Sequence, residues 1–563
     1  MALQTIQYRR LFVDSGFVSS EIFDRIMNEA IRTVRPPEAG FVEAGIFKDE
    51  EIGKLIADAY GINFIHLSQT PIDPEAVKMI PEAFARKENV LAYGWIDGIC
   101  QVAMVDPENK EVRDFLEKKL GEPIMVTYTT PGFLEEAFAE YSSQIFDEIS
   151  QLIEQYGRSF TEQGAQAHIE RESIIIPLVD LLLRYGCDNH ASDIHIEPHE
   201  AFTLVCYRVD GILYDLFRFP KSLHEAVVSR IKILAVLRTD EHFTAQDGKL
   251  CIRLQNKKDI DVHVSIVPIL EGEKVVLRLF MERGRGLYLD ILGLDLSEVE
   301  KLKIAAQQPY GMILTTGPTG SGKTTMMYAL LQILNQRGVN IATIEDPVEY
   351  DVEGISQIQV NPRTKLTFAT GLRSIVRQDP DIIFVGEVRD EETATIAVNA
   401  AMTGHLVLST LHTNDAATTL PRLLEMKVEP FLIASTINVI VAQRLVRRIC
   451  RHCIHSVNSD LIRLQRIVQP TLFQKYFGQK TYFRVFAGKG CRVCHNSGYM
   501  GRIGIFEILQ MTPRIREYIM RRANAAEIQQ AAVEEGMTTM MEDGIRKILQ
   551  GITSVEEVLR VVC

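Results

Sequence analysis

The stretch that most constrains the fold of this chain is GPTGSGKTT, residues 317–325. Apolar runs lie directly before and after it, so it is predicted to join a strand to a helix, which is the setting of a phosphate-binding loop. Its glycines allow several backbone N–H groups to point at one anion, and the positive end of the following helix favours the same charge. A glycine-rich turn without a ligand is the alternative.

Two side chains of this loop have the chemistry that a nucleoside triphosphate needs. Lys323 would contact the β- and γ-phosphates, and the hydroxyl of Thr324 would bind Mg²⁺. The remaining residues would surround the phosphates with backbone N–H groups. The predicted nucleotide-binding loop consists of Gly317, Pro318, Thr319, Gly320, Ser321, Gly322, Lys323, Thr324 and Thr325.

Length and charge limit the classes of protein that the chain can belong to. Its 563 residues are too many for one core and suggest roughly three to five domains. The formal charge of −13 argues against a large nucleic-acid surface, although it leaves a local basic patch open. No apolar run reaches the ~18 residues of a membrane span. The N-terminus lacks the apolar region of a secretory signal, so the cytoplasm is the expected location.

Shifts in composition and periodicity divide the chain into six segments. Residues 142–172 are rich in Gln, Glu and Ser and contain Gly157 and Gly164, so they are interpreted as a mobile, partly helical linker. The predicted segments are a docking or regulatory domain at 1–141, the linker, an α+β domain at 173–285, an α/β core at 286–446, a cysteine-bearing segment at 447–510 and a helical segment at 511–563.

Local patterns predict structure within the first half of the chain. An imperfect repeat, which begins at Phe12 and again at Phe41, predicts a small helical module. Period-2 alternation at residues 260–266 predicts half-buried antiparallel strands. Asp210 and Gly211 predict a hairpin turn between two of them. No catalytic constellation is evident in residues 1–141.

Four apolar strands of the predicted core each end in polar residues. They end near Gly317, Glu345, Gly386 and Thr410. In an open parallel sheet the ligand lies beyond the carboxyl ends of the strands, so we expect all four ends to converge on one site.

Carboxylates follow two of these strands. Glu345, Asp346 and Glu349 follow the second strand, and one of them is a candidate for orienting the water that attacks the γ-phosphate. A solvated acidic turn is the alternative. Glu387 follows the third strand and is a candidate for holding Mg²⁺ or its water. A role as a helix cap is the alternative for Glu387.

Histidines and arginines supply further candidates. His405 and His412 bracket the fourth strand, where a histidine can sense the γ-phosphate or move a proton. A structural role is equally open for both. Arg208, Arg373 and Arg377 are candidates for offsetting the charge that develops on the phosphates. A single arginine is more often a surface residue.

The cysteines suggest a metal site. Cys450 and Cys453 form one CxxC pair, and Cys491 and Cys494 form another. Two such pairs supply the four thiolates of a closed, structural Zn²⁺ site. The 37 residues of 454–490 between the pairs exceed the common spacing, so we expect a folded excursion there. Free buried thiols or a redox pair are the alternatives.

From Ser173 onward the motifs, in this order, resemble the secretion ATPases of the type II secretion and type IV pilus assembly group, in the extension-motor branch. The N-terminal segment is similar to the docking domain of that family, more weakly. The motifs that carry the resemblance are ASDIHIEP at 191–198, RVDG at 208–211, the phosphate loop, TIEDPVE at 343–349, IIFVGE at 382–387, TGHLVLSTLHTNDA at 403–416, EPFLIASTINVIVAQRLVRRIC at 429–450, the cysteine pairs, and GYMGRIGIFEIL at 498–509.

The resemblance implies a fold and an activity. The expected fold is a RecA-like P-loop ATPase core, preceded by a small PAS-like α+β domain and an N-terminal α/β docking domain, with a zinc-binding C-terminal subdomain. The expected activity is hydrolysis of ATP with Mg²⁺ by a homohexameric motor that extends a pilus or pseudopilus. An inner-membrane platform protein and a cytoplasmic docking protein are the expected partners, with peripheral attachment to the inner membrane and no nucleic acid.

The resemblance also implies residue roles. Glu349 would be the general base, Glu387 would support Mg²⁺ and the γ-phosphate, and His405 and His412 would both be functional. Arg208 would reach the nucleotide from the domain before the core, in its own subunit or in a neighbour. Other functions stay open: a pilus retraction motor, a nucleic-acid translocase, or a degenerate scaffold.

The chain departs from the family pattern at two positions. Cys206 and His263 stand where the family commonly has arginines. The loss of two cations would weaken sensing of the γ-phosphate, unless Lys232, Lys249 or Arg253 compensates. Some relatives bind cyclic-di-GMP through an RLGxxLV repeat, but RLG precedes neither Phe12 nor Phe41, so that ligand is not expected.

Overall fold

A computed structural model describes most of the chain. The described residues are 8–33, 37–44, 46–120, 123–159, 165–253, 259–280, 289, 291–349, 351–361, 364–460, 467–478, 482–491 and 493–562. The chain divides into two compact units, Met1–Glu282 and Arg283–Cys563. Each unit has hydrophobic cores of its own.

The first part of the first unit packs short helices around a small sheet. Strand β1 (Val90–Ile96) pairs antiparallel with β2 (Ile99–Met104), which pairs parallel with β3 (Ile124–Tyr128). Its α-helices are Ser20–Thr33, Pro37–Glu43, Asp49–Tyr60, Pro74–Met79, Glu82–Glu88, Lys110–Leu120 and Pro131–Ala137, with a π-helical turn at Arg10–Asp14 and a 3₁₀ turn at Leu67–Gln69.

The predicted repeat brings its two phenylalanines together. Phe12 and Phe41 are both fully buried, and their ring centroids lie 4.8 Å apart. A helix follows each of them, Ser20–Thr33 in one copy and Asp49–Tyr60 in the other. The described residues thus form a helical module in which the two copies share one core.

A six-stranded antiparallel sheet forms the second part of the first unit. The strands are β4 (Ala191–Pro198), β5 (Phe202–Val209), β6 (Ile212–Pro220), β7 (Gln246–Arg253), β8 (Asp259–Ile269) and β9 (Gly272–Phe280). Their spatial order is β6-β5-β4-β9-β8-β7. The Asp210–Gly211 turn, with φ of 49° and 86°, joins β5 to β6 as expected.

Three helices accompany this sheet, and they differ from the linker that the sequence suggested. The helices are Ala139–Ser159, Ala165–Asp188 and Lys221–Leu234. Gly157 lies inside the first of them, while Gly164 lies outside the described residues. Ile145, Ile149 and Tyr156 are buried in the same core as the sheet. Burial of this apolar face outweighs the cost of a helical glycine, about 1 kcal/mol.

The second unit is built on a seven-stranded sheet. Its strands are β10 (Gly311–Thr316), β11 (Ile341–Glu345), β12 (Ile355–Gln359), β13 (Ile382–Val385), β14 (Leu406–Leu411), β15 (Ile437–Ile449) and β18 (Tyr499–Gln510). Their spatial order is β12-β11-β13-β14-β10-β15-β18, and all neighbouring pairs are parallel except β15 and β18. The four predicted strands β11, β13, β14 and β10 are adjacent, so the expected convergence of their carboxyl ends is confirmed.

Helices lie along this sheet and follow it. Those before β15 are Leu296–Ala306, Lys323–Leu334, Phe368–Ile375, Glu391–Met402, Thr419–Glu425 and Pro430–Thr436. Those after β18 are Pro513–Met520, Ala525–Glu534, Met540–Leu549 and Val555–Val562. Among the described helices, none combines the length with the apolar character that a membrane crossing requires.

The cysteine-bearing segment is an insertion between two strands of the sheet. It contains β16 (Ile454–Asp460), the helix Pro470–Phe477 and β17 (Tyr482–Gly488), and the two strands pair antiparallel. The expected folded excursion is therefore present. Strand β18 follows the insertion and returns to pair with β15. The domain limits at 446 and 510 stay predictions, and the sheet places β18 beside the core strands.

Candidate active site

The phosphate loop curves between β10 and the helix Lys323–Leu334. Gly317, Gly320 and Gly322 have φ of 148°, 76° and 88°, values that favour glycine. A Cβ on Gly317 would also lie 2.4 Å from the carbonyl oxygen of Gln443 on β15. The loop is therefore shaped by its own glycines and by a strand that is distant in sequence.

The side chain of Lys323 lies within the curve of this loop. Its Nζ donates to the carbonyl oxygens of Gly317, at 2.8 Å, and of Pro318, at 3.1 Å. Burial lowers the pKa of Lys323, and the charge of Glu387 opposes that shift. No side chain caps the first turn of the helix that Lys323 begins, so backbone N–H groups there can bind an anion.

Glu387 lies directly beyond β13, near Lys323. Its side chain is 12% exposed, and it forms an ion pair with Arg389 at 2.7 Å. Its other carboxylate oxygen lies 3.4 Å from Nε2 of His412. Gly386 permits a close approach of this turn to β11, since a Cβ there would lie 3.2 Å from the carbonyl oxygen of Ile344.

The acidic turn after β11 divides its three carboxylates between two roles. Glu345 is 2% exposed and accepts hydrogen bonds from Tyr328 and Thr343, each at 2.6 Å. Both of its oxygens are thus occupied by the surrounding core. Asp346 is exposed and Glu349 is half-buried in the turn that follows. Glu345 is therefore held by the core, and the prediction of a water-orienting base is left to Asp346 and Glu349, where it stays a prediction.

The two candidate histidines lie at opposite ends of β14. His412 follows the strand at the carboxyl edge, whereas His405 precedes it. The carbonyl oxygen of His405 accepts the N–H of Gly311, and its Nδ1 lies 2.9 Å from the carbonyl oxygen of Ala400. A strand of this length separates them by about 20 Å. Within one subunit, the structure brings His412 to Glu387 and does not bring His405 there.

Hydrogen bonds join the segment after β14 to the strand before the phosphate loop. The hydroxyl oxygens of Thr316 and Thr413 lie 2.6 Å apart, and the N–H of Thr413 donates to Thr316 at 2.9 Å. Thr410 donates to the carbonyl oxygen of Gly386 at 2.7 Å. The ends of β10, β13 and β14 are thus fixed to each other around Lys323 and Glu387.

Comparison with known proteins agrees with this geometry. A family model described as "Type II/IV secretion system protein" matches residues 168–560. The chain belongs to this secretion ATPase family. A second model, described as "MshEN domain", matches residues 60–146.

Relatives of this secretion ATPase carry the names that the motifs suggested. The chain is 36% identical over 556 residues to "Type IV pilus assembly ATPase PilB" of Myxococcus xanthus, covering 98% of this chain and 97% of the relative. It is 46% identical over 387 residues to "Type II secretion system protein HxcR" of Pseudomonas aeruginosa, covering 69% of this chain and 77% of the relative. The resemblance predicted from the sequence is confirmed, and the protein is an ATPase of this group.

A solved structure supports the fold. The Legionella pneumophila ATPase DotB matches with a TM-score of 0.50 and 22% identity, covering 68% of this chain and 94% of DotB. At that identity the likeness speaks for the fold alone. The predicted RecA-like core of the secretion ATPase is confirmed.

The arginines predicted within the core lie on its surface. Arg373 is exposed on the helix Phe368–Ile375 and pairs with Glu392 at 2.5 Å. Arg377 is exposed just beyond that helix, and its guanidinium lies 3.4 Å from the hydroxyl of Ser374. These contacts do not connect either arginine to Lys323 or Glu387. Their predicted role in phosphate sensing stays a prediction.

Arg208 belongs to a row of side chains that crosses the six-stranded sheet. Residues opposite each other on neighbouring strands are Arg208, Asp193, Arg278, His263 and Lys249. The carboxylate of Asp193 forms an ion pair with the guanidinium of Arg278 at 3.1 Å and another with that of Arg208 at 3.6 Å. The motifs did not identify Arg278, although the alternating apolar pattern of its strand places it on the polar face. We name this row the cation row.

Cys206 and His263, where arginines were expected, both have a shifted pKa. Cys206 contacts Asp215 at 3.3 Å, and burial together with that carboxylate raises the pKa of Cys206 to about 12. Burial, followed by Lys249 and Arg278, lowers the pKa of His263 to about 4. Both residues are therefore uncharged near neutral pH, and neither supplies the positive charge expected at its position.

The three cations expected to compensate for those arginines differ in exposure. Lys232 is fully buried and pairs with Glu273 at 2.7 Å, so it is not available to a ligand. Lys249 is exposed and directly opposite His263 in the cation row. Arg253 is exposed at the end of β7. Compensation by Lys249 or Arg253 stays a prediction.

The four cysteines form a compact cluster. Their sulfur atoms all lie within 4.8 Å of one another. The separations are 3.8 Å for Cys450 and Cys491, 3.8 Å for Cys453 and Cys494, and 3.6 Å for Cys491 and Cys494. Thiolates bound to a tetrahedral Zn²⁺ at ~2.3 Å would be about 3.8 Å apart. The donor set therefore fits a tetrahedral metal ion.

Within the cluster, burial raises the pKa of Cys450 and Cys491, whereas the surroundings of Cys494 favour its thiolate. Backbone N–H groups of Cys491 and Gly498 donate to Sγ of Cys494, each at 3.2 Å. Burial opposes ionisation of Cys494, but these and other hydrogen bonds outweigh it and lower its pKa. Both CxxC turns lie where the inserted segment leaves and rejoins the sheet, so a metal ion held by them would fix the base of the insertion.

Proposed function

We propose that the protein is one subunit of a homohexameric motor, which hydrolyses ATP to drive assembly of a pilus or a secretion pseudopilus. The observation that carries this proposal is the convergence of Lys323, Glu387 and His412 at the carboxyl edge of one sheet. The names of the relatives support the pilus or secretion context. Lys323 and Glu387 are both in place, which disfavours a degenerate scaffold.

Each residue of the site has a proposed part in hydrolysis. Backbone N–H groups of the phosphate loop and Lys323 bind the phosphates, and Thr324 supplies a hydroxyl ligand to Mg²⁺. Glu387 orients Mg²⁺ or its water, and His412 lies beside it to contact the γ-phosphate. Glu349 orients the attacking water. The metal itself would neutralise charge on the phosphates.

Arg208 and the rest of the cation row are proposed to contribute from outside the core. Arg208, Arg278 and Lys249 present positive charge on one face of their sheet, with Asp193 between two of them. Positive charge of this kind stabilises a transferring phosphoryl group. We propose that it reaches a nucleotide in the same subunit or in a neighbour in the ring.

The remaining assignments concern metal, partners and location. Cys450, Cys453, Cys491 and Cys494 are proposed to hold a structural Zn²⁺. An inner-membrane platform protein and a cytoplasmic docking protein are the proposed partners. The motor is proposed to be cytoplasmic and to attach peripherally to the inner membrane.

The proposal is tested by replacing the loop lysine. Lys323→Ala removes the ammonium proposed to contact the phosphates, so the purified variant should not hydrolyse ATP. Expressed in a strain that lacks the native gene, the variant should also fail to restore piliation or secretion. Lys303→Ala on the exposed side of the helix Leu296–Ala306 is the control, and it should keep both. Piliation or secretion by Lys323→Ala at the wild-type level would contradict the motor. Hydrolysis stimulated strongly by DNA would favour a translocase instead.

A further inference from the structure

The buried carboxylate of Glu507 contacts the segment that carries His412. Glu507 lies on β18 and is 2% exposed. Its Oε1 accepts the backbone N–H of Ala416 at 3.1 Å. Ala416 belongs to residues 412–418, which connect β14 to the helix Thr419–Glu425; we name these residues the histidine segment.

The strand that carries Glu507 also contacts the C-terminal helices. Phe506, the neighbour of Glu507 on β18, donates its N–H to Asp543 of the helix Met540–Leu549 at 2.9 Å. The backbone N–H of Met540, the first residue of that helix, favours the charged form of Glu507 and so opposes the rise in its pKa. Residues 506 and 507 thus connect the start of a C-terminal helix to the histidine segment.

The histidine segment is in turn bound to the nucleotide site. Thr413 is hydrogen-bonded to Thr316 at the end of β10, and His412 lies 3.4 Å from Glu387. Thr413 also donates to the carbonyl oxygen of Asp415, next to Ala416. A few hydrogen bonds therefore connect Glu507 to Glu387.

We propose that Glu507 is a positioning residue for hydrolysis, which holds the histidine segment so that His412 faces Glu387. Because the neighbouring Phe506 is hydrogen-bonded to Asp543, that placement also depends on the helix Met540–Leu549. The proposal rests on the function proposed above for Glu387 and His412. Displacement of a reacting group by about 1 Å can cost as much as a hundredfold in rate, so a single hydrogen bond can matter here.

The chemistry of the carboxylate agrees with this role. Burial raises the pKa of Glu507 to about 7, and Asp415 adds to the shift, while the two backbone N–H groups oppose it. An apolar side chain would fill this place without the cost of burying a charge. The carboxylate therefore does what an apolar residue cannot, which is to accept the backbone N–H of Ala416.

The test compares variants of Glu507 with a matched buried carboxylate. Glu507→Ala should lower kcat by about tenfold or more and leave the KM for ATP within about twofold, because the phosphate loop is untouched. Glu507→Gln keeps an oxygen acceptor and should restore most of the lost kcat. The control is Glu298→Ala. Glu298 is 3% exposed, and burial raises its pKa to about 7, but it caps the helix Leu296–Ala306.

Glu298→Ala should lower the melting temperature and leave kcat near wild type at a temperature where both variants are folded. Equal loss of kcat in Glu298→Ala and Glu507→Ala would overturn the proposal, because stability alone would then explain it. Failure of Glu507→Gln to exceed Glu507→Ala would overturn it as well.

A double variant separates this inference from the proposed function. If Glu507 acts through His412, Glu507→Ala combined with His412→Ala should be no slower than His412→Ala alone. Wild-type kcat in His412→Ala would contradict the proposed function itself. A slow His412→Ala together with an unaffected Glu507→Ala would contradict only the role of Glu507.

Discussion

The carboxylate of Glu387 lies 3.4 Å from Nε2 of His412, at the ends of two neighbouring parallel strands. This pair lies beside Lys323 of the phosphate loop, whose pKa responds to the charge of Glu387. In the proposed function, Glu387 supports Mg²⁺, His412 contacts the γ-phosphate and Lys323 offsets the phosphate charge. Each of these residues comes from a different strand end.

The two histidines that bracket β14 should behave differently. His412→Ala removes the group beside Glu387 and should lower kcat by about a hundredfold, the scale of a lost polar or acid–base contact. His405→Ala changes a residue at the far end of the strand and should leave kcat near wild type. Steady-state ATP hydrolysis of both purified variants checks this. Equal losses of kcat in the two variants would contradict the different roles expected for the two histidines.

Lys232 and Lys249, which were equal candidates from the sequence, should affect different properties: Lys232 the stability of the protein and Lys249 its ATP turnover. Lys232→Met removes the buried ammonium that pairs with Glu273 and leaves this carboxylate only His242, which should cost about 3 kcal/mol of unfolding free energy. Lys249→Met removes an exposed cation of the cation row, and it should lower kcat/KM by about tenfold with little change in stability. Urea unfolding and ATP turnover of each variant measure the two effects. A stable but inactive Lys232→Met would reverse the assignment.

Metal content should depend on the cysteine cluster. Cys450→Ser removes one of four sulfur ligands, so the purified protein should lose its zinc and melt at a lower temperature. Cys251→Ser, which changes an exposed cysteine on β7, is the control and should keep both the zinc content and the melting temperature. Elemental analysis and thermal melting test this. A metal-free wild-type protein that melts unchanged with a strong chelator would contradict the zinc site.

The pH dependence of stability should fall in a defined range. Burial raises the pKa of Glu298 from 4.5 to about 7, with Asp543 adding to the shift. A raised carboxyl pKa gives stability that is complete below pH 4.5 and is lost as the pH rises through 7, about 3 kcal/mol for this group. Glu298→Gln should therefore be more stable than wild type at pH 8 and nearly equal at pH 5. Parallel pH profiles for the two proteins would contradict the shift.

The nucleotide site could be predicted from sequence where it depends on local pattern. The phosphate loop, the four strand ends and the cysteine pairs each lie in one short stretch, and period or spacing reveals them. Residues that contribute across the fold were not visible. Gln443 approaches Gly317 only because β15 lies next to β10, and Glu507 reaches Ala416 only because β18 returns to the sheet.

Equivalent residue types also concealed different roles. Glu345 and Glu349 are both glutamates of one acidic turn, but only the structure shows that Tyr328 and Thr343 occupy the first. The helix through Gly157 was missed for a similar reason. A glycine weakens helix propensity locally, whereas the burial of Ile145 and Ile149 against a distant sheet decides the outcome.

We infer that the carboxyl ends of these strands form a hydrolysis site in which Glu349 orients the attacking water. Single-turnover hydrolysis of ATP by Glu349→Gln measures this role, and Glu353→Gln, which changes an exposed glutamate four positions further on, is the control. We expect Glu349→Gln to bind ATP as tightly as wild type and to hydrolyse it at least about a hundredfold more slowly. Hydrolysis by Glu349→Gln at the rate of Glu353→Gln would contradict it.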